Sequence, residues 1–223
     1  KLTIFFSDIV GFTTLSEQME AEDLSSFLNF YLTNVCEIAL KYGGTIDKFI
    51  GDSVMIFFGD PDTKGAKEDA IACCQMAMEM LTFLENNQQH FQDMYNFPEK
   101  LEIRVGIHNG LCNVGNFGSE QRLDYTAIGR TVNVAARLEQ AAPKNSILVS
   151  SAIRNLIKNK FETSSPIEVK AKGIDKPIAS YVLNRQEPQN TKVIKELDGL
   201  KLEYDPKKID KNKLLEIISE LEN

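Results

Sequence analysis

The sequence predicts an α+β fold: a ferredoxin-like, palm-type βαββαβ core, extended by extra strands and helices. Its sheet is expected to be mostly antiparallel, with the helices on one face. Three observations carry that expectation. A short apolar run opens the chain, two later segments repeat apolar residues at helical spacing, and two further apolar runs are separated only by Gly51-Asp52.

Leu2–Phe6 reads as a buried strand. Leu24, Leu28, Tyr31, Leu32, Val35 and Ala39 recur on one helical face, and Gly43-Gly44 stops that helix. Thr45–Ile50 and Ser53–Phe58 flank Gly51-Asp52 as strand, tight turn and strand. Asp62 is placed to cap a second helix, whose buried face is Ala70, Cys73, Cys74, Ala77, Leu81 and Leu84. The polar stretch 86–99 reads as a loop, and Leu101–Gly110 with Leu111–Gly118 as a strand pair joined near Asn109-Gly110. Thr131–Ala142 is a third helix, Ile147–Ser150 a strand and Ala152–Lys158 a short helix. Ile167–Lys172 and Ile178–Leu183 form a last hairpin around Gly173–Pro177.

These elements make residues 1–185 one domain. Residues 186–223 form a C-terminal extension. It starts with the polar linker Arg185–Asn190 and continues with a strand at Gly199–Tyr204. It ends in an amphipathic helix carrying Leu214, Ile217, Ile218 and Leu221. That helix either docks on the domain edge or faces a neighbouring subunit.

The chain has 223 residues, enough to bury a core, and is 43% hydrophobic and 26% charged, the balance of an ordinary soluble protein. No apolar run approaches the roughly 20 residues of a membrane-spanning helix. Lys1–Phe6 leads straight into Ser7-Asp8, so no signal peptide is expected. A chain that opens on a core strand is expected to be a cytoplasmic catalytic module of a longer protein. The remainder would hold an upstream regulatory domain and leaves room for a membrane anchor. A net charge of -7 argues against a nucleic-acid polymer as partner. An acidic protein handling an anionic small substrate needs divalent metal ions or a few well-placed Lys and Arg. Cys36, Cys73, Cys74 and Cys112 show no C-x-x-C spacing and read as free thiols of a reducing compartment. Two histidines, His90 and His108, are too few and too scattered for a zinc site.

Three segments carry chemistry. In Phe6-Ser7-Asp8-Ile9-Val10-Gly11-Phe12-Thr13 a carboxylate ends a buried strand, and a glycine turn leads into helical sequence. Backbone amides at such a turn, at Phe12 and Thr13, suit phosphate, and the carboxylate suits a metal bridging to it. In Asp47-Lys48-Phe49-Ile50-Gly51-Asp52-Ser53 the second carboxylate sits in the hairpin turn. The central strands of a βαββαβ sheet bring that turn beside the end of the first strand, so Asp8 and Asp52 converge. Like charges held close call for a cation between them, and Mg²⁺ prefers one or two carboxylates plus substrate phosphates. In Asp124–Arg137, Asn133 and Arg137 lie four apart on one helix face, an amide beside a guanidinium that suits a ribose and a phosphate.

Together these segments resemble the class III adenylyl and guanylyl cyclases. The matching pieces are FSDIVGFT, DKFIGDSVMIFFG, RVGIHNG, DYTAIGRTVNVAARLE and VKAKG, in order, over residues 1 to about 184. The resemblance implies conversion of ATP to 3′,5′-cyclic AMP and pyrophosphate with two divalent metal ions per site, Mg²⁺ or Mn²⁺. It gives Asp8 and Asp52, with Ile9 between them, to the metals. Lys48 falls at the purine-reading position, where guanylyl cyclases look like Glu, and Thr126 at its partner position. Asn133 matches the residue that positions the ribose and Arg137 the one that stabilises the reacting phosphate. Lys170 matches the triphosphate-binding lysine, with Lys172 as the alternative register. Arg122 is assigned loosely to a further phosphate contact, and Arg130 stands where bacterial relatives often carry Asp or Asn.

The resemblance further implies a head-to-tail homodimer with shared sites. One subunit supplies Asp8 and Asp52; the other supplies Lys48, Thr126, Asn133, Arg137 and Lys170. Both sets are present in this chain. The competing readings are a guanylyl cyclase, a catalytically silent nucleotide-binding or dimerisation module, and another palm-fold enzyme such as a diguanylate cyclase. Lys48 counts against the first, because a lysine donor meets a donor on guanine N1. The complete residue set counts against the second. The Asn-x-x-x-Arg helix and the VKAKG strand count against the third.

Overall fold

A computed structural model describes residues 1–95, 97, 100–169 and 177–185, and the backbone of 193–197 and 200–204. The chain divides into two compact units, Lys1–Arg185 and Gln186–Asn223.

In the first unit, strand β1 (Leu2–Ile9) is followed by a short helix α1 (Phe12–Gln18) and a long helix α2 (Ala21–Lys41). The hairpin β2 (Thr45–Ile50) and β3 (Ser53–Phe58) leads to helices α3 (Ala66–Asn86) and α4 (Gln88–Tyr95). Strand β4 (Ile103–Gly110) completes the βαββαβ core. The extension adds the hairpin β5 (Asn113–Ser119) and β6 (Arg122–Ile128), then helix α5 (Arg130–Ala141). Strand β7 (Ser146–Ser150), helix α6 (Ser151–Ile157), and strands β8 (Ile167–Val169) and β9 (Ile178–Val182) close the unit.

The main sheet runs β2-β3-β1-β4-β7-β9-β8, with β5-β6 as a separate two-stranded sheet. Only the β4–β7 pair of the main sheet is parallel; the other neighbours are antiparallel. Alternation along β1 sorts its side chains to two faces. Phe5 and Ile9 face a large core with Phe27, Tyr31, Val35, Ala70, Cys74 and Leu81 of α2 and α3. Leu2, Ile4 and Phe6 face the other way, with Ala127 and Ala135. The core helices α2 and α3 therefore share one face, as the sequence predicts, while α5 of the extension lies on the opposite face.

The contact of α5 with the sheet depends on one missing side chain. A Cβ on Gly106 of β4 would lie 2.1 Å from the Glu139 backbone nitrogen and 2.4 Å from the Ala135 carbonyl oxygen. Only glycine lets the helix backbone rest directly on the strand.

Four expectations change. The stretch read as a loop over 86–99 holds α4, because its single apolar anchor, Phe91, is buried against Phe27 and Phe97 in an aromatic cluster. Gln88 fixes the start of α4 by donating to the Leu84 and Leu101 carbonyls and accepting from the Leu101 amide. One buried face in a polar stretch leaves little periodic signal. Asp62 does not cap α3. The helix begins after Gly65, and Asp69 inside it accepts from the Thr63 hydroxyl and the Lys64 amide. The segment after Gly110 does not return along β4; β5 pairs with β6, while β4 lies between β1 and β7. In the second unit, β11 (Leu200–Tyr204) pairs with β10 (Val193–Leu197), a strand the periodicity does not reveal. The linker expected at Arg185–Asn190 lies outside the described residues from position 186 on, as does the helix expected around Leu214–Leu221.

Gly106→Ala should destabilise the domain, since overpacking a tight contact typically costs about 1–3 kcal/mol. Urea unfolding of the variant beside wild type measures this, and an unchanged midpoint would mean the helix does not rest on that glycine.

Candidate active site

The end of β1 and the turn between β2 and β3 meet as the sequence requires. Gly51 takes the left-handed conformation (φ 64°) that the turn needs, and Asp52 follows it. The Ile9 backbone amide donates to Asp52 Oδ2 at 2.8 Å, a bond between residues 43 apart in sequence. Asp8 lies beside it. Its Oδ1 accepts from Ser53 Oγ at 2.7 Å, and its Oδ2 pairs with Arg104 Nη2 at 2.8 Å. Arg104 stands directly opposite Asp8 in the β1–β4 register. Its Nε lies 3.5 Å from Glu139 Oε1 of α5, and neither of these two buried atoms has a hydrogen-bond partner among the described residues.

Two carboxyl groups, Asp8 and Glu139, thus flank Arg104, and a third, Asp52, lies beside Asp8. Burial, and then the nearby Asp8 charge, raise Asp52 to about 6, against the lowering effect of the Ile9 amide. Burial raises Glu139 to about 7, with Asp8 and Asp52 adding to the rise and Arg104 opposing it. Like charges in a half-buried place favour a proton or a cation. The donors are hard oxygens, which suits Mg²⁺ or Mn²⁺. Among the described residues no group of three or more His, Cys, Asp or Glu side chains could hold a metal by itself. Ligands from a substrate would have to complete the shell. Asp8 and Asp52 fit that partial role.

A second group forms on the far side of β2. The Asp47 carboxylate, whose side chain is fully buried, accepts the Thr126 hydroxyl at 2.9 and 2.8 Å and the Ala127 amide at 3.0 Å. Lys48 Nζ is 3.3 Å from the same carboxylate. Lys48 and Thr126, distant in sequence, are therefore brought together.

Asn133 and Arg137 both lie on α5, with Asn133 exposed and Arg137 half-buried. Arg137 Nη1 donates to Gln140 Oε1 of its own helix at 2.7 Å. Arg130 opens α5. Burial, and then the charge of Arg130, hold His108 down to about 4. Phe12 and Thr13 open α1 beyond the Gly11 turn. Arg122 starts β6, largely exposed, 3.6 Å from Asp124. Lys170 and Lys172 lie outside the described residues. Among the described residues, no hydrogen bond or ion pair links Asp8 or Asp52 to Lys48, Thr126, Asn133 or Arg137. Three surface clefts of about 280, 380 and 280 Å³ contain none of these six residues.

Residues 1–185 match the family model described as the adenylate and guanylate cyclase catalytic domain. The chain belongs to that family. This cyclase domain is similar to the crystal structure of the adenylyl cyclase CyaB from P. aeruginosa. The TM-score is 0.80 at 48% identity, covering 83% of this chain and 94% of that one. It is also similar to the guanylyl cyclase Cya2, with a TM-score of 0.78 at 30% identity over 85% of this chain and 94% of that one. An adenylate cyclase of Anabaena cylindrica is 35% identical over 81% of this chain. The cyclase domain spans only 36% of that relative's length. No helix among the described residues is long and apolar enough to cross a membrane.

Sequence reasoning named Asp8, Asp52, Lys48 and Thr126 but gave no role to Arg104, Ser53, Glu139 or Asp47. For Arg104 a signal existed. It is the one cation in the run Ile103–Ile107, with the same strand parity as Gly106 and His108. Glu139 was hidden because its place depends on how closely α5 approaches the sheet.

The raised carboxyl groups give the metal-free cyclase domain a pH signature. The folded chain holds the Asp52 proton up to about pH 6, against an ordinary 3.8. That contribution to stability is complete below the ordinary value and is lost as pH rises through about 6. Denaturant unfolding across this window should show stability falling with rising pH, and Asp52→Asn should flatten the fall. Parallel profiles for the two proteins would contradict the assignment.

Proposed function

We propose that this domain converts ATP to 3′,5′-cyclic AMP and pyrophosphate, at composite sites of a head-to-tail homodimer. One observation carries the reading. The chain holds a carboxylate end, Asp8 with Asp52, and a purine end, Lys48 with Thr126, and among the described residues no hydrogen bond or ion pair joins the two. A second copy turned head to tail would bring the carboxylates of one chain to the Lys48, Thr126, Asn133 and Arg137 of the other. Exposed apolar side chains support such a contact. They include Phe49 and Ile50 beside the Asp52 turn, and Leu123 (60% exposed), Tyr125 and Ile128 on β6.

Asp8, Asp52 and the Ile9 backbone would hold two divalent ions, Mg²⁺ or Mn²⁺. When bound, these ions would make the 3′-hydroxyl more acidic and neutralise the leaving pyrophosphate. The chain's own residues supply position and charge. Asn133 orients the ribose so that its hydroxyl faces the α-phosphorus. Arg137 stabilises charge on the equatorial oxygens, and Lys170, or Lys172 in the alternative register, neutralises the triphosphate tail. Arg104 adds a guanidinium beside Asp8 that suits phosphate oxygens. Phe12, Thr13 and Arg122 are further substrate contacts in this reading. Lys48 donates to adenine N1 but meets a donor on guanine N1, which favours ATP over GTP. The likeness to adenylyl cyclases at 48% and 35% identity supports the same choice. The free thiols fit a cytoplasmic setting. In this reading 1–185 is the catalytic unit, and 186–223 is an extension.

Asp8→Ala and Asp52→Ala should each abolish cyclic AMP formation without unfolding the domain; full turnover at saturating Mn²⁺ would refute the metal assignment. Lys48→Glu should lower turnover of ATP more than of GTP, and an unaltered preference would mean Lys48 does not read the base. Mixing the inactive Asp52→Ala and Arg137→Ala chains tests the shared site. Each mixed dimer keeps one intact site, so activity should return to roughly a quarter of wild type with random pairing. No rescue despite demonstrated subunit exchange would place each site within one chain.

A further inference from the structure

We propose that Asp47 sets the hydrogen-bond polarity of the purine pocket: it takes the Thr126 hydroxyl proton, which leaves Thr126 an outward acceptor that selects a 6-amino purine. The inference rests on the nucleotide reading of Lys48 and Thr126, and assigns a positioning role to a residue which that reading leaves idle.

The backbone places Asp47 by an irregularity. Ile46 pairs with Ile56 and Lys48 with Met55, adjacent positions on β3, so Asp47 is the extra residue of a bulge in β2. In a regular strand Asp47 and Lys48 would point to opposite faces. A bulge re-aims side chains. Here both neighbours reach the same group: Lys48 Nζ approaches the carboxylate whose oxygens also receive the Thr126 hydroxyl and the Ala127 amide.

The consequence follows from counting protons. A hydroxyl has one proton to donate and two lone pairs, whereas a carboxylate only accepts. With the proton directed to Asp47, Thr126 Oγ1 offers only lone pairs toward a ligand. Lys48 offers only donors. Adenine presents a donor at its 6-amino group and an acceptor at N1, which matches both. Guanine presents an acceptor at O6 and a donor at N1, which opposes both. Discrimination is strong when a mismatched base leaves buried polar groups unpaired. Without Asp47 the threonine hydroxyl could turn to suit either base. The carboxylate removes that freedom.

The test compares kcat/KM of the homodimer for ATP, GTP and purine riboside triphosphate, which lacks only the 6-amino group. Wild type should prefer ATP over purine riboside triphosphate by roughly fivefold to tenfold, the worth of one hydrogen bond. In Asp47→Asn the amide oxygen can keep the Ala127 amide while its NH₂ donates to Thr126 Oγ1. The hydroxyl then turns outward as a donor. The ATP-to-GTP preference should fall by roughly tenfold, and the preference over purine riboside triphosphate should vanish. If Asp47→Asn lowers all three rates in equal proportion, Asp47 only staples β2 to β6 and the proposal is wrong. Should that variant not fold, the wild type decides. A preference for the 6-amino group that Thr126→Val abolishes supports the proposal, and no such preference overturns it. A wild type that cyclises none of the three nucleotides sinks the parent reading and this one with it. A wild type that cyclises ATP but ignores the 6-amino group sinks this one alone.

Discussion

The hydrogen bond from the Ile9 amide to Asp52 ties the end of β1 to the β2–β3 turn, and much of the site is a response to it. It draws the second carboxylate in beside the first, into a place where burial already disfavours charge. Two such groups are tolerable only with compensation. The chain supplies part of it through Ser53 and Arg104, both bound to Asp8. The remaining imbalance is visible in Asp52 and Glu139, both raised by burial and then by the Asp8 charge. A site that holds anionic ligands at such cost is prepared for cations, which is why the carboxylate pair argues for metal ions more strongly than either residue alone.

Helix α5 carries the second constraint. Its buried side, with Ala135, Leu138 and Glu139, lies on the sheet at a distance that only Gly106 permits. The same helix bears Asn133 and Arg137, with Asn133 open to solvent. One rigid element therefore touches the carboxylate end through Glu139 and Arg104, and presents two polar groups away from it. In the proposed dimer this would make α5 the element shared between a chain's own half-site and its partner's.

The sequence alone determined most of the core. The apolar patterns of β1, α2, β2, β3, α3 and α5 appear where the sequence places them, because the helices bury one face and the central strands β1 and β3 are buried on both, and both patterns are local. The pairing of Asp8 with Asp52 was also legible, since a βαββαβ order leaves the hairpin turn no other neighbour than the end of β1. Lys48, Thr126, Asn133 and Arg137 were named through a family resemblance, and the structure brings Lys48 and Thr126 to one carboxylate. Helix α4 was not, because one buried phenylalanine in a polar stretch carries too little period to read.

What only the tertiary structure decided are the groups that act between elements. Arg104 is one more charge in a strand until the register sets it opposite Asp8. Glu139 is one more helix carboxyl until a glycine lets the backbones meet. Asp47 would be a strand residue facing away from Lys48, but a bulge turns it onto Thr126, 79 positions later in the chain. Strand register, close approach and bulge placement are set by non-local packing, which a linear pattern of residue types does not encode. The sequence determined which chemical groups are present and which elements carry them. The fold decided which of those groups face one another, and so the direction in which each proton is given.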